Sequence, residues 1–92
     1  MNFEWNDEKA KRNTIKHGIS FQIATFAFDD PYALIIDDTK HSMYESRQWL
    51  IGNSGSGILV VVFTIRGQAT RIISARKATR KERREYEQNK RI

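Results

Sequence analysis

Four arginines, Arg47, Arg66, Arg71 and Arg76, fall in strand-like stretches of the chain or at their ends. A guanidinium stays charged, and its planar fork matches the oxygens of a phosphate. Several such forks at one end of a small sheet would stabilise the charge that builds on a pentacovalent phosphorus. The same side chains also serve as plain solubilising groups or ion-pair partners, as Arg47 would with Glu45. Two residues have the chemistry for proton transfer. Glu45 can draw a proton from a ribose 2′-OH, and it equally suits a rim carboxylate paired with Arg47. His17 carries a group suited to acid or base work near neutrality. It also closes a predicted helix, where the dipole alone would account for an imidazole held against the core.

The charge is localised. From Arg76 to Ile92 there are eight Lys or Arg and three Glu, whereas Met1 to Ala75 holds eight basic and eight acidic residues. The whole net charge of +5 therefore sits on the C-terminal segment. A positive segment on a neutral body attracts polyanions by counterion release and long-range steering. Nucleic acid or an acidic protein is the expected partner. Arg80, Lys81 and Arg83 in that segment, with Lys9 and Lys16 near the start, are candidate contacts to an RNA backbone. Glu82, Glu85 and Glu87 are interleaved there, so an ordinary salt-bridged helix surface is the competing reading.

Other chemistries find little support. There is no cysteine, hence no disulfide and no thiolate metal site. His17 and His41 are far apart, and neither lies in a ligand-spaced cluster. Asp29-Asp30 and Asp37-Asp38 read as solvated turns and a stop before Pro31 rather than as a cation site. The run Gly52 to Gly57 lacks the Lys-Ser/Thr of a phosphate loop and the context of a nucleophile elbow, and it reads as a hairpin turn. No cofactor is expected. The start of the chain lacks the basic and apolar regions of a signal peptide, and the apolar run Ile58 to Phe63 is too short for a bilayer. A cytoplasmic, soluble protein without a membrane partner is expected.

With 92 residues, 39% apolar and 29% charged, the chain suits one small domain, residues 1–92, with a thin core. Asn2 to Trp5 alternates like a short strand. Asn6 caps a helix that runs to about His17 and stops at Gly18. Ala10, Asn13, Thr14 and His17 share a weakly apolar face, so this helix packs lightly. Ser20 caps a second helix, Phe21 to about Phe28, ended by Asp29-Asp30-Pro31. Phe21, Ala24 and Phe28 form its buried stripe, widened by Ile23, Phe26 and Ala27. Tyr32 to Ile36 is a short strand candidate, and Asp37 to Ser42 a loop. Three strands follow, near Gln48–Gly52, Ile58–Ile65 and Ala69–Ala75. Their turns, Asn53 to Gly57 and Arg66 to Gln68, are short enough to impose an antiparallel meander. By alternation Arg76 shares a face with Ile72 and Ser74. The all-apolar middle strand requires cover on both faces. The early helices give one cover. The C-terminal segment, a second copy or another protein gives the other, at least part of it intermolecular. Thr79-Arg80-Lys81-Glu82 fits a capping box for a helix to about Asn89. Its apolar members are Ala78 and Tyr86 alone, so it belongs on a surface.

Taken together, Phe3-Glu4-Trp5-Asn6, Lys9-Ala10, Asn13, Lys16-His17-Gly18-Ile19-Ser20-Phe21, Phe28-Asp29-Asp30-Pro31, Glu45-Ser46-Arg47, Ile51-Gly52 and Ile73-Ser74-Ala75-Arg76, with Ala78, Glu82-Arg83 and Tyr86, resemble the BrnT family. The resemblance spans nearly the whole chain. It implies a toxin of a type II toxin–antitoxin system, with a fold similar to RelE ribonucleases and an activity that cleaves RNA and halts translation. It implies a BrnA antitoxin of ribbon-helix-helix type, operator DNA reached only through that antitoxin, and a homodimer or toxin–antitoxin heterotetramer. Family members usually carry Asp where this chain has Asn6, and both residues cap helices well. Lys9, His17, Glu45, Arg47 and Arg76 are the positions that match the family motif. Arg66 joins them by its place at a strand end.

The expected fold is therefore α+β: a short strand, two helices, an antiparallel sheet and a basic terminal helix. The expected function is metal-independent RNA cleavage. Glu45 or His17 would move protons, and Arg47, Arg66 and Arg76 would hold charge. The alternatives are a non-catalytic module that binds nucleic acid or antitoxin in operon autoregulation, and a dimeric structural subunit.

Overall fold

Asn6 starts the first helix as its side chain predicts, with Oδ1 accepting from the Lys9 N–H at 3.0 Å, and Gly18 ends it at φ 71°. The structure is a computed structural model that describes residues 1–91; Ile92, which the single-domain expectation includes, lies outside them. The elements in chain order are β1 (Asn2–Glu4), α1 (Asp7–His17), α2 (Phe21–Thr25), a 3-10 turn (Phe26–Asp29), β2 (Leu34–Asp37), a second 3-10 turn (Thr39–His41), β3 (Arg47–Asn53), β4 (Ile58–Arg66), β5 (Ala69–Lys77) and α3 (Arg80–Lys90). The class is α+β.

The five strands form one sheet in the order β1-β5-β4-β3-β2. The meander β3-β4-β5 is antiparallel at its centre, and β2 extends it antiparallel on the far edge. β1 pairs parallel with β5, so the sheet is mixed rather than antiparallel throughout. The two helices after β1 carry the chain across the sheet, so β2 enters at the opposite edge and β1 is left beside the last strand.

One face of the sheet carries the main core. Phe21, Ala24 and Ala27 pack there against Leu50, Leu59, Val61, Phe63, Ile72 and Ala75, with Phe3 and Phe28 at 5.0 Å and Phe28 and Phe63 at 5.1 Å stacked edge to face. The second helix is shorter than its apolar stripe suggests. The Thr25 hydroxyl bonds back to the Gln22 carbonyl, and the chain tightens to 3-10 geometry at Phe26. At three residues per turn Phe26 rotates out of the stripe and is 53% exposed, against expectation. Gly52 is required where β3 passes this turn, because a Cβ there would stand 2.8 Å from the Ala27 carbonyl oxygen.

The opposite face is covered at one end by α3, the intramolecular choice among the covers that the sequence left open. Its Thr79 capping box is complete. Ala78 and Tyr86 pack with Ile51 and Val60. The Tyr86 hydroxyl donates to Asp30 Oδ2 at 2.6 Å, which ties the helix to the turn before β2. Burial first, then this bond to Asp30, pushes the Tyr86 hydroxyl up to about 12. The cover stops there. Val62 is half-buried, and on β2 Ile35 and Ile36 are exposed.

Candidate functional site

Strand register assembles the arginines. Arg47 lies opposite Thr64, and Thr64 opposite Arg71; Trp49, Val62 and Ser74 form the next row, and Ile51, Val60 and Arg76 the row after that. All three rows share the face that α3 partly covers. Simple alternation would put Arg71 on the other face from Arg76 and would put Ile72 beside Arg76. A bulge between Val62 and Phe63 corrects this: Val62 pairs with Ser74 but Phe63 pairs with Ile72. Ile73 is the extra residue, so Ile72 turns into the core and Arg71 joins the arginine face.

At the open end of this face, Arg66 Nη2 donates to Glu45 Oε2 at 3.2 Å. The other oxygen of Glu45 stands 4.0 Å from Arg47 Nε, beyond hydrogen-bond reach. Arg47 Nε is buried and finds no hydrogen-bond partner among the described residues. Lys40, His41 and Tyr44 join Glu45, Arg47 and Arg66 around an open cleft of about 550 Å³. Tyr44, at its lip, is 95% exposed. Beside this cleft Arg71 Nη1 meets Glu4 Oε2 at 3.0 Å.

Arg76 is held differently. Its two terminal nitrogens grip Glu82 at 2.7 and 2.9 Å, and its guanidinium carbon lies 5.5 Å from the centre of the Trp49 ring. The pair is a strut between β5 and the first turn of α3. Arg76 hydrogen bonds, reinforced by the capping box, hold the Glu82 carboxyl down at about 2. A carboxyl depressed on folding adds stability above its unfolded value, and that stability is lost as the pH falls from about 4.5 through about 2. Urea midpoints measured from pH 7 to pH 2 should therefore drop through this window. In Glu82→Gln the drop should shrink; an unchanged pH profile in that variant would remove the strut.

The candidates from sequence thus fall into groups. Glu45, Arg47 and Arg66 meet at one cleft, and Arg76 stands on the same face, held by Glu82. His17, half-buried, and the exposed Lys9 and Lys16 ride on α1, in the layer packed on the other face, and are not brought to Glu45. Arg80 and Arg83 line a hollow of about 460 Å³ along α3, where Arg84 and Arg91 add charge that the sequence reading did not single out. Lys81 is exposed on the same helix. Among the described residues, no three His, Cys, Asp or Glu gather to hold a metal ion. No helix among the described residues is long and apolar enough to cross a membrane.

The sequence reading missed the segment before Glu45. Asp38 takes the Trp49 indole N–H at 3.1 Å on Oδ2, and His41 Nδ1 lies 3.0 Å from that same oxygen. Partial burial pushes the Asp38 carboxyl up, but hydrogen bonds from Trp49 and His41 outweigh it and the net direction is down. The one signal was the spacing Asp-x-x-His just ahead of Glu45.

A family model described as "Ribonuclease toxin, BrnT, of type II toxin-antitoxin system" matches residues 5–82. That span contains β1's last neighbour Trp5, every strand from β2 to β5, the whole cleft and the Arg76–Glu82 pair. A 32 kDa beta-galactoside-binding lectin of Caenorhabditis elegans is 44% identical over 46 residues, 50% of this chain. The chain covers 16% of that lectin's length.

Proposed function

The chain belongs to the BrnT family of ribonuclease toxins of type II toxin–antitoxin systems, and on that premise we propose that it is a metal-independent endoribonuclease that cuts RNA in the Glu45–Arg47–Arg66 cleft and so halts translation. The observation that carries this reading is the Arg47 guanidinium. It lines an open cleft with its Nε buried and unpartnered, beside a carboxylate already held by Arg66. Phosphate oxygens would meet the exposed part of the Arg47 side chain, which is 34% exposed.

Glu45 takes the 2′-OH proton, and the 2′-oxygen attacks the adjacent phosphorus. The bond to the 5′-oxygen breaks, leaving a 2′,3′-cyclic phosphate and a 5′-hydroxyl. Arg47 and Arg66 hold the charge on the non-bridging oxygens. Tyr44 offers a ring on which an unpaired base can stack. Arg80, Lys81 and Arg83 draw the strand in along α3, with Arg76 between them and the cleft. Lys9 and Lys16 meet an RNA long enough to pass round the sheet edge. His17, away from this cleft, is assigned no proton.

A type II toxin has an antitoxin partner. We take that partner to be of BrnA ribbon-helix-helix type, with operator DNA bound through it, and the setting to be the cytoplasm. The test is purified chain and RNA in EDTA. Products ending in 2′,3′-cyclic phosphate and 5′-hydroxyl are expected. RNA left intact under all conditions, with tight binding to antitoxin or duplex DNA, would establish the non-catalytic module instead.

A further inference from the structure

We infer that His41, oriented by Asp38, is the general acid that protonates the leaving 5′-oxygen in this cleft. The inference rests on the reading of the cleft as a ribonuclease site, and it fills the place that reading leaves open. Transesterification needs a proton removed at one oxygen and a proton delivered at another. Glu45 does the first, and α1 holds His17 away from the second.

His41 ends the 3-10 turn Thr39–His41 and lines the same cleft as Glu45, Arg47 and Arg66. Its Nδ1 lies 3.0 and 3.1 Å from the two oxygens of Asp38. A carboxylate there fixes Nδ1 as the protonated nitrogen and leaves Nε2 to face solvent and substrate. The carboxylate is itself fixed, because the Trp49 indole donates to it from the floor of the sheet at 3.1 Å. The loop that carries these groups is closed on β3. The Asp38 N–H donates to the Arg47 carbonyl at 2.9 Å, and the Arg47 N–H donates to Ser42 Oγ at 3.0 Å. Glu45 therefore stands on the same braced loop as the imidazole, and Arg47 stands at the start of β3 where that loop closes.

A structural role explains this arrangement poorly. The His41 side chain is 63% exposed while Asp38 is only 11% exposed. An ion pair with so much water on one partner contributes little stability. The charged groups that face the ring are Asp38 and Lys40 from its own segment, and Glu45, Arg47 and Arg66 across the cleft.

The step balances. The imidazolium gives its Nε2 proton to the 5′-oxygen as the phosphorus–oxygen bond breaks, and it becomes neutral imidazole with Nδ1–H still on Asp38. Glu45 ends the step protonated by the former 2′-OH, and exchange with water resets both groups.

The test uses the full chain with H41Q and D38N variants, RNA, and a matched RNA whose scissile 5′-oxygen is replaced by sulfur, which leaves without a proton. H41Q should lower kcat about a hundred- to a thousandfold with KM little changed, and the fall of kcat at high pH should vanish. D38N should lower kcat part of the way with KM little changed, and the sulfur substrate should restore it as it restores H41Q, because the imidazole loses the group that orients it. The sulfur substrate should restore H41Q and leave E45Q impaired. Full activity in H41Q, or no rescue by sulfur, would overturn the assignment while leaving the ribonuclease reading intact. A wild-type chain inert on both substrates would sink both readings. Melting temperatures of H41Q and D38N near wild type are the check that folding is unaffected.

Discussion

Arg47→Ala is expected to slow RNA cleavage by roughly two to three orders of magnitude, with stability changed by less than about 1 kcal/mol. The large kinetic effect follows from where the guanidinium stands. β3 fixes its backbone opposite Thr64, the Ser42 hydroxyl holds its N–H, and the side chain ends at the cleft with Nε unpartnered. A guanidinium preorganised in this way meets phosphate through its exposed part at the cleft, so its interaction serves the reacting state. The small stability effect follows from the same fact. Glu45 keeps its hydrogen bond to Arg66 when Arg47 is cut back, so no buried partner is orphaned. Arg47→Lys keeps the charge but replaces a planar fork by a point charge, and it should recover only part of the rate. Single-turnover cleavage of one defined RNA, with urea unfolding of each variant, measures both effects. Wild-type cleavage by Arg47→Ala would exclude the guanidinium from the site.

Arg76 would be a less clean target than Arg47. Its fork is filled by Glu82, and its face lies against Trp49. Removing it leaves a depressed carboxylate without its cation and frees the first turn of α3. Loss of cleavage in an Arg76 variant therefore reports helix docking together with chemistry. The comparison sorts the arginine face into two jobs. The row of Arg47 faces the cleft, while the row of Arg76 fixes the helix that carries the excess positive charge. Among the charged groups around the cleft, carboxylates offset much of the arginine charge. Long-range attraction of a polyanion falls to the outer side of α3, where Arg80, Arg83, Arg84 and Arg91 gather.

What could be read from the residues was what local pairing decides. Glu45, Arg47 and Arg66 meet because the β3–β4 hairpin returns the chain to the same sheet end, and turn residues announce hairpins. The caps at Asn6, Ser20 and Thr79 were legible for the same reason, since each bonds within three residues. The elements that escaped depend on distant partners. No glycine or proline marks the bulge at Ile73, and it reverses the side on which Ile72 and Arg71 stand. The parallel pairing of β1 with β5 joins the two ends of the chain. The Asp38–Trp49 bond exists only after β2 and β3 have set their register, so His41 appeared as a lone histidine.

Asn13 is the strongest case of such a distant role, and Asn13→Ala should cost about 2–4 kcal/mol of folding stability. β1 pairs with β5 only from Ala69 to Arg71, which leaves the edge of β5 bare further along. At Ala75 the side-chain amide of Asn13 stands in for the missing strand. Its Oδ1 accepts from the Ala75 N–H at 3.1 Å, and its Nδ2 donates to the Ala75 carbonyl at 2.8 Å and to the Ile19 carbonyl at 3.0 Å. The site is buried, with Asn13 7% exposed and Ala75 fully covered. Alanine would leave a buried N–H and two carbonyls without that partner, and each carries a desolvation cost near 1 kcal/mol or more. Aspartate is no rescue, because a carboxylate accepts from Ala75 N–H but cannot donate to either carbonyl. For a domain this small, the loss is a large share of a stability of about 5–10 kcal/mol. Urea unfolding at pH 7 should show a lowered midpoint with an unchanged slope. Cleavage per folded molecule should hold, since Asn13 touches the edge of β5 on the α1 side and nothing in the cleft. An Asn13→Ala midpoint equal to wild type would mean that water or a shifted β1 completes the edge as well as the amide does.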